Sequence, residues 1–347
     1  MFLYDDILSQ DNKFMTSVNN DQSLEFAGPV FLTGMPRSGT KLLRGLLNEH
    51  PRISIPDFET EFFPYWVKNW AKFSDLSIKS NFNIFYADML KIPYFIYCKN
   101  NGVLIKLDDW YDSCKMFTPA GVFEALLRHD VKANFDTNII WGDKSPSYII
   151  SLDLIKQQFP DAKFIHIIRD VRDYCLSINH AWNKSMPRAA QRWCESIEMA
   201  QNIAKSFPDD YIEVFYENLL DNPELEAKRI CSFLNIPYDS SMLKISRPTE
   251  NIGSTKGASS VVSGNKMKYE KNMPLSMRNK IEAISFEMLR KLGYPVSDTT
   301  QSIKLTKLEM AIYKYMDGYN LLVSTIKRIG PIATFKYVFG SLIISNK

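Results

Sequence analysis

Short apolar runs alternate with longer amphipathic stretches along this 347-residue chain. Residues 30–32 and Lys163–Ile168 are short and largely apolar, a pattern typical of strands buried in a parallel sheet. After the first run, leucines at positions 42, 43, 46 and 47 share one helical face, which predicts a helix from Thr40 onward. The pattern therefore predicts a strand, a tight turn and a helix in immediate succession.

The turn between this strand and helix has the composition of an anion-binding loop. It contains Gly34 and Gly39, and Arg37 and Lys41 add positive charge. Backbone N–H groups and the helix dipole at such a junction point toward one anion. In the Walker A loop of ATP-binding proteins a lysine directly follows the second glycine, whereas here Thr40 comes first. The loop therefore predicts a phosphate or sulfate site of a different kind.

Two later segments also place charged or polar residues next to the end of a predicted strand or the start of a predicted helix. Arg169 directly follows the second apolar run, where its guanidinium can hold a phosphate with two hydrogen bonds, and Ser177 lies two helical turns further on. Lys144 precedes Ser145 and Pro146, a pair that predicts a helix with the serine as its N-cap. Taken alone, the first segment would also fit an ordinary ion pair, and the second a plain helix cap.

Together, the three segments resemble one enzyme family. Residues 36–40 (P-R-S-G-T) resemble the 5′-phosphosulfate loop of sulfotransferases that use 3′-phosphoadenosine 5′-phosphosulfate (PAPS), with Lys41 where a second threonine is usual. Residues 169–177 resemble the 3′-phosphate site of that family, with Val171 in place of a proline. Residues 141–148 resemble the lysine segment of carbohydrate and tyrosylprotein sulfotransferases.

The resemblance implies a three-layer, P-loop-like α/β fold. A central parallel sheet would carry helices on both faces and a helical acceptor region. The sulfotransferase domain would span 29–295, with a helical acceptor-side insertion at 65–135. An N-terminal extension would occupy 1–28 and a C-terminal helical extension 296–347.

The resemblance also implies PAPS as co-substrate and no metal. Tyr216 lies in segment 212–237, which matches the family at lower similarity. Ser254 and Lys268 lie in a flexible, basic loop at 253–270, which would serve either as a lid or as a linker. The residues expected to bind PAPS are Arg37, Ser38, Gly39, Thr40, Lys41, Arg169, Ser177, Tyr216, Ser254 and Lys268.

A general base is expected in the acidic and aromatic segment that follows the first helix. Glu59 aligns with the K-E-x-x-F-F string of heparan-type sulfotransferases and the E-E-T-R string of tyrosylprotein sulfotransferases, although Phe58 replaces the usual preceding charge. Glu61 is the alternative base, and solvated loop carboxylates are the functionless alternative. By the resemblance, Glu59 would deprotonate the acceptor while Arg37 and Lys144 stabilise the charge that develops on the donor.

The resulting prediction is a PAPS-dependent sulfotransferase acting on a hydroxyl, or an amine, of an acceptor. The motif likenesses favour a hydroxyl of a glycan or glycolipid, and a phenol or other small molecule, a peptide tyrosine and an amine stay open as acceptors. Two alternatives stay open: a P-loop kinase that uses ATP and magnesium, and a nucleotide-binding relative without catalytic activity.

Composition limits the binding partners and the cellular compartment to be expected for this chain. The net charge of +3, with interspersed signs, does not indicate nucleic-acid binding. Five scattered cysteines indicate reduced thiols, and the acidic, polar N-terminus does not resemble a signal peptide, so a cytoplasmic, bacterial-type enzyme is expected. The aromatic residues of 65–135 are expected to form a helical core, with an acceptor-pocket wall as the alternative.

The C-terminal extension reads as a long helix at 303–329 and a short apolar helix at 331–344, too short to span a bilayer. Packing against the body of the protein, peripheral membrane contact and pairing in a homodimer are its three open roles.

Overall fold

The computed structural model describes residues 26–132, 138–246, 257 and 261–330. Ser254, the predicted helix at 331–344 and residues 1–25 lie outside these ranges.

Five strands in the described ranges form one sheet whose neighbouring strands are all parallel. The order across the sheet is β2-β3-β1-β4-β5. The α/β fold with a central parallel sheet is therefore confirmed, as are both predicted strands. The strands are β1 (Val30–Gly34), β2 (Ile53–Ser54), β3 (Ile140–Lys144), β4 (Lys163–Ile168) and β5 (Tyr211–Phe215).

Helices and short 3₁₀ turns connect the strands, as parallel pairing requires. The helices of the described ranges are α1 (Thr40–Asn48), α2 (Phe63–Asn69), α3 (Lys79–Met89), α4 (Pro93–Asn100), α5 (Leu107–Ser113), α6 (Pro119–Asp130), α7 (Leu152–Gln158), α8 (Val171–Trp182), α9 (Met186–Ala204), α10 (Tyr216–Asp221), α11 (Pro223–Phe233), α12 (Tyr269–Asn272), α13 (Leu275–Lys291) and α14 (Lys307–Ile329).

The sheet separates two hydrophobic cores, because successive side chains of a strand point to opposite faces. Phe31 packs into an aromatic core with the residues of α2 to α7, and its neighbours Val30 and Leu32 pack into an aliphatic core with α1, α10 and α11. Trp66 and Trp110 are fully buried in the aromatic core. The described part of the 65–135 stretch thus uses its aromatic side chains mainly for packing.

The strands β1 and β4 approach each other closely at their carboxyl ends. Gly34 has a φ of 150°, and a Cβ atom there would lie only 2.5 Å from the carbonyl oxygen of Ile167. Only glycine fits this position. Because β1, β3 and β4 are parallel, their carboxyl ends share one edge of the sheet, and the three segments that resemble the family all reach that edge.

The long C-terminal helix begins later than the hydrophobic pattern suggested. Helix α14 starts at Lys307 because Thr306 and Glu309 form a capping box, in which each side chain accepts a hydrogen bond from the backbone N–H of the other. Residues 303–305 precede the helix. Among the described helices, none combines the length and the apolar character that crossing a bilayer would demand.

Candidate active site

The loop after β1 forms a compact turn around a buried hydroxyl. Gly39 has a φ of 99°, and a Cβ atom there would lie 2.4 Å from the ring of Tyr216, so a side chain is excluded. Ser38 is buried, and its Oγ has no hydrogen-bond partner among the described residues. Helix α1 begins at Thr40, as predicted, and its N-terminus opens toward the loop. These groups leave backbone and hydroxyl donors at the helix start, as an anion requires.

Two of the predicted donor-site residues are joined directly. The Nε of Arg37 donates a hydrogen bond of 3.3 Å to the Oγ of Ser177 on α8. These residues come from different motifs, 140 positions apart in sequence, and the parallel sheet brings them together.

Arg169 is held beside them in a buried position. Its guanidinium donates to the carbonyl oxygens of Arg37, at 3.3 Å, and Asn265, at 3.1 Å, and lies 4.5 Å from the centre of the Tyr216 ring. The indole Nε1 of Trp193 donates to the Arg169 carbonyl oxygen at 3.1 Å. The Nε of Arg169 has no partner in the described part of the chain. One buried donor is therefore left for a ligand.

Asn265 joins the two remaining described residues of the predicted donor site. Its side-chain amide donates to the hydroxyl of Tyr216 at 2.6 Å, and its Oδ1 accepts from the ammonium of Lys268. Sequence reasoning missed Asn265, because an asparagine inside a basic, glycine-containing loop gives no distinctive signal. The predicted Ser254 lies outside the described residues, so the structure does not place it.

The predicted base and the predicted lysine form an ion pair. The ammonium of Lys144, the last residue of β3, contacts the carboxylate of Glu59. Only 1% of the Lys144 side chain is exposed, against 30% of Glu59. Burial lowers the pKa of Lys144, the charge of Glu59 raises it, and the positive charges of Arg44 and Lys41 lower it further. The positive charge of Lys41 therefore acts on the Lys144–Glu59 ion pair.

Glu61 lies near the pair in a left-handed backbone conformation, with a φ of 55°. Burial and the neighbouring charge of Glu59 raise the pKa of Glu61. The two carboxyl groups thus compete for the positive charge of Lys144, which Glu59 contacts directly.

A buried polar network supports the backbone that carries Glu59 and Glu61. The hydroxyl of Thr60 donates to Asp143 at 2.6 Å and accepts from the hydroxyl of Tyr148 at 2.5 Å. The backbone N–H of Glu61 donates to the Oγ of Ser145 at 3.1 Å. The network ties the loop after β2 to the end of β3.

The predicted helix start, with Ser145 at the N-cap position and Pro146 after it, is confirmed for a short 3₁₀ helix, but the Ser145 side chain does not cap it. This helix spans Pro146–Ile150. The hydroxyl of Ser145 instead binds the loop that carries Glu61, because that loop lies directly above the end of β3. Sequence reasoning also missed Asp143 and Tyr148, although both stand in the recognised 141–148 segment.

A cleft beside the phosphate loop is lined by cationic and aromatic side chains. Its cavity of about 80 Å³ is bounded by Pro36 on one side and by Trp182 and the cations Lys184, Arg188 and Arg192 on the other. One acid, Asp317, also lines it and pairs with Arg188 at 2.8 Å. The wall therefore has an excess of positive charge.

The described residues contain no cluster of histidine, cysteine, aspartate and glutamate side chains that could hold a metal ion. All five cysteines lie in the described ranges as free thiols, and burial raises the pKa of each.

Comparison with known proteins identifies relatives by sequence. The family model described as "Sulfotransferase family" matches residues 29–240. A putative protein-tyrosine sulfotransferase of Caenorhabditis briggsae is 26% identical over 231 residues, 62% of this chain and 68% of the relative. Protein-tyrosine sulfotransferase 1 of Danio rerio is 24% identical over 290 residues, 76% and 72% of the two chains. These matches confirm the resemblance expected from the motifs.

Solved structures show the same fold. The sulfotransferase domain of the Synechococcus PCC 7002 olefin synthase aligns with a TM-score of 0.53 at 19% identity, covering 77% of this chain and 95% of that one. The sulfotransferase domain of the curacin biosynthetic pathway aligns with a TM-score of 0.52 at 16% identity, covering 78% and 99%.

We expect Asp143→Asn to change how stability depends on pH. Burial raises the pKa of Asp143 from 3.8 to about 6. The folded chain therefore binds this proton more tightly than the unfolded chain, and stability is lost as pH rises from about 4 through about 6. The neutral amide lacks this dependence. Denaturant unfolding should show the wild type losing up to about 3 kcal/mol relative to the variant between pH 4 and pH 7.

Asp239→Asn is the matched control for this experiment. Hydrogen bonds from Ser241 lower the pKa of Asp239, so the wild type should gain stability relative to that variant as pH rises through the acid range. A constant difference between wild type and Asp143→Asn over the whole range would contradict the assignment.

Proposed function

Because the chain belongs to the sulfotransferase family, we propose that it transfers the sulfuryl group of PAPS to a hydroxyl group of an acceptor, with Glu59 as the general base. The observation that carries this proposal is the convergence of the Lys144–Glu59 ion pair and the Arg37–Ser177 contact at one edge of the sheet. A donor site and a base are both needed for such a reaction. The donor loop follows β1, and Glu59 is held by Lys144, the last residue of the neighbouring strand β3.

The residues around the loop after β1 fit the phosphate groups of PAPS. The Oγ of Ser38 and the Nε of Arg169 are buried polar atoms without partners in the described ranges, and such atoms are costly unless a ligand satisfies them. In this proposal the loop residues 37–41 hold the 5′-end of the donor. Arg169 and Ser177 hold its 3′-phosphate.

Positioning and electrostatics would supply most of the rate, as in phosphoryl transfer. Glu59 accepts the proton of the attacking hydroxyl, and the exposed 30% of its side chain leaves it accessible to an acceptor. Lys144 and Arg37 stabilise the negative charge that grows on the leaving phosphate oxygen. When Glu59 takes up the proton, Lys144 loses its anionic partner and becomes available to that oxygen.

The acceptor we propose is a tyrosine hydroxyl flanked by acidic groups. The curated relatives are described as protein-tyrosine sulfotransferases. The cleft beside Pro36 supports the same chemistry, since Trp182 offers a surface for an aromatic ring and Lys184 and Arg192 offer positive charge. The glycan or glycolipid favoured by the sequence motifs stays a prediction.

The donor is tested by thermal unfolding with 3′,5′-adenosine bisphosphate, the product that PAPS leaves behind. A hundredfold excess over the dissociation constant adds about 2.7 kcal/mol, which raises the unfolding midpoint. Arg169→Lys and Ser177→Ala should lose most of this shift, because lysine lacks the forked geometry of arginine and alanine lacks the hydroxyl. Arg229→Lys, on α11 and outside the site, is the matched control and should keep it.

ATP with magnesium is measured in parallel. Stabilisation by ATP and magnesium alone, with no response to the bisphosphate, would refute the proposal and favour a P-loop kinase.

Glu59→Gln should abolish turnover without weakening donor binding. The amide cannot accept the proton, so kcat should fall by about 10²-fold to 10⁴-fold, and the midpoint shift with the bisphosphate should persist. Glu61→Gln is the matched variant, with the same change two residues away, and should keep most activity. A large loss in Glu61→Gln with normal turnover in Glu59→Gln would instead make Glu61 the base.

The acceptor is tested with three hydroxyl compounds: an acidic tyrosine peptide, the same peptide with its acids made amides, and a neutral oligosaccharide. We expect the acidic peptide to be sulfated fastest. Lys184→Gln combined with Arg192→Gln should raise its KM about tenfold or more and leave the KM of the amidated peptide unchanged. Sulfation of the oligosaccharide alone would contradict the tyrosine assignment and support the prediction of a sugar acceptor.

A further inference from the structure

Residues 55–62 contain both candidate bases but no helix or strand, so their side chains and loop contacts must hold them in place. We call these residues the base segment. At its start, the guanidinium of Arg44 on α1 donates hydrogen bonds to the carbonyl oxygens of Pro56 and Asp57 and pairs with the carboxylate of Asp57 at 3.2 Å. Because α1 begins at the phosphate loop, this end of the segment is fixed relative to the donor site.

The other end of the base segment is held by a chain of hydrogen bonds that runs through the hydroxyl of Thr60. The backbone N–H of Phe63 donates to the hydroxyl of Tyr148 at 3.1 Å, and that hydroxyl donates to Thr60 at 2.5 Å. Thr60 in turn donates to the carboxylate of Asp143 at 2.6 Å. The three side chains are each at most 3% exposed, so they depend on one another for hydrogen bonds.

Ser145 makes a second attachment beside Thr60. Its Oγ accepts a hydrogen bond of 3.1 Å from the backbone N–H of Glu61 and lies 3.4 Å from the Oγ of Thr60. Two successive residues of the base segment are therefore attached at the end of β3. Since Lys144 is the last residue of that strand, the segment is fixed to the element that carries the ion-pair partner of Glu59.

The backbone at Glu61 indicates that these attachments impose a conformation. The N–H of Phe62 donates to the carbonyl oxygen of Thr60 at 2.7 Å, which closes a three-residue turn with Glu61 at its centre and a φ of 55° there. A residue with a side chain rarely adopts this left-handed region, and it persists only where the surrounding contacts require it. The network around Thr60 supplies such contacts.

The network is an expensive way merely to stabilise a fold. Asp143 is fully buried, and burial raises its pKa from 3.8 to about 6. Apolar side chains of similar volume often stabilise a buried site as well as, or better than, charged groups do. A fully bonded polar network instead favours one geometry. Here that geometry belongs to the segment between the phosphate loop and Lys144.

We propose that Thr60 is a positioning residue for the transfer reaction: its hydroxyl holds the backbone on which Glu59 meets Lys144 and the acceptor. The inference rests on the proposed function, in which Glu59 is the base. Thr60 is only 3% exposed, whereas 30% of the Glu59 side chain is exposed. Thr60 therefore acts through Glu59 and not on the acceptor.

The first variant is Thr60→Val, which keeps the shape of the side chain and removes the hydroxyl. With the acceptor that the wild type sulfates fastest, we expect kcat to fall about tenfold to a hundredfold, because a misplacement of about 1 Å costs up to that much. The KM for PAPS and the midpoint shift with the bisphosphate should be unchanged, and that shift also shows that the variant folds. Thr60→Ser, which keeps the hydroxyl, should restore most of kcat.

Combination with Glu59→Gln separates positioning from a general loss of structure. If Thr60 acts through Glu59, Thr60→Val should lower kcat no further in a chain that already carries Glu59→Gln. Two independent effects would multiply, and that result would contradict the inference.

Thr118→Val is the matched control, because it also removes one threonine hydroxyl. Thr118 caps α6 by accepting a hydrogen bond of 3.1 Å from the backbone N–H of Gly121. Loss of this cap should lower the unfolding temperature and leave kcat unchanged, since Glu59 does not move. An equal loss of kcat in both variants would show a structural effect only and would refute the positioning role.

The outcomes also distinguish this inference from the proposed function. Turnover by the wild type with a normal kcat in Thr60→Val would overturn the inference and leave the proposed function intact. A wild type that gains no stability from the bisphosphate would instead refute the proposed function, and the inference with it.

Discussion

Parallel pairing of β1 with β3 on one side and β4 on the other is the constraint on which the whole site depends. It places the ends of three strands at one edge, so residues more than a hundred positions apart meet there. The pairing is close enough that Gly34 tolerates no side chain against Ile167. The positions of Arg37, Lys144 and Arg169 all follow from this one arrangement.

The site gathers positive charge in a protein whose net charge is small. Lys144 and Arg169 are both buried, and burial of a cation is unfavourable unless an anion or hydrogen-bond acceptors are near. Each has such partners: the carboxylate of Glu59 for Lys144, and the carboxylate of Asp173, at 3.5 Å, together with two backbone carbonyl oxygens for Arg169. These partners keep the cations in place while no donor is bound, and they can be exchanged for a ligand's oxygens.

The start of α9 links the cleft beside the phosphate loop to helix α14. Arg188 lines the cleft and also pairs with Asp317, which anchors α14. Polar groups thus hold the middle of the helix on the body, Met310 and Tyr313 pack its first turns against a hydrophobic core, and several other apolar residues of the helix stay exposed.

The sequence by itself determined the fold class, two central strands, helix α1 and the family, because apolar periodicity and short loop motifs are local signals. It also supplied the residues proposed for donor binding, of which Ser254 lies outside the described residues. Only the tertiary structure decided that Ser145 binds the Glu61 loop, that Asn265 joins Tyr216 to Lys268, and that Lys144 pairs with Glu59. These depend on contacts between distant segments, which no local pattern records, since the partner of a buried polar group is set by whatever the packed chain places next to it.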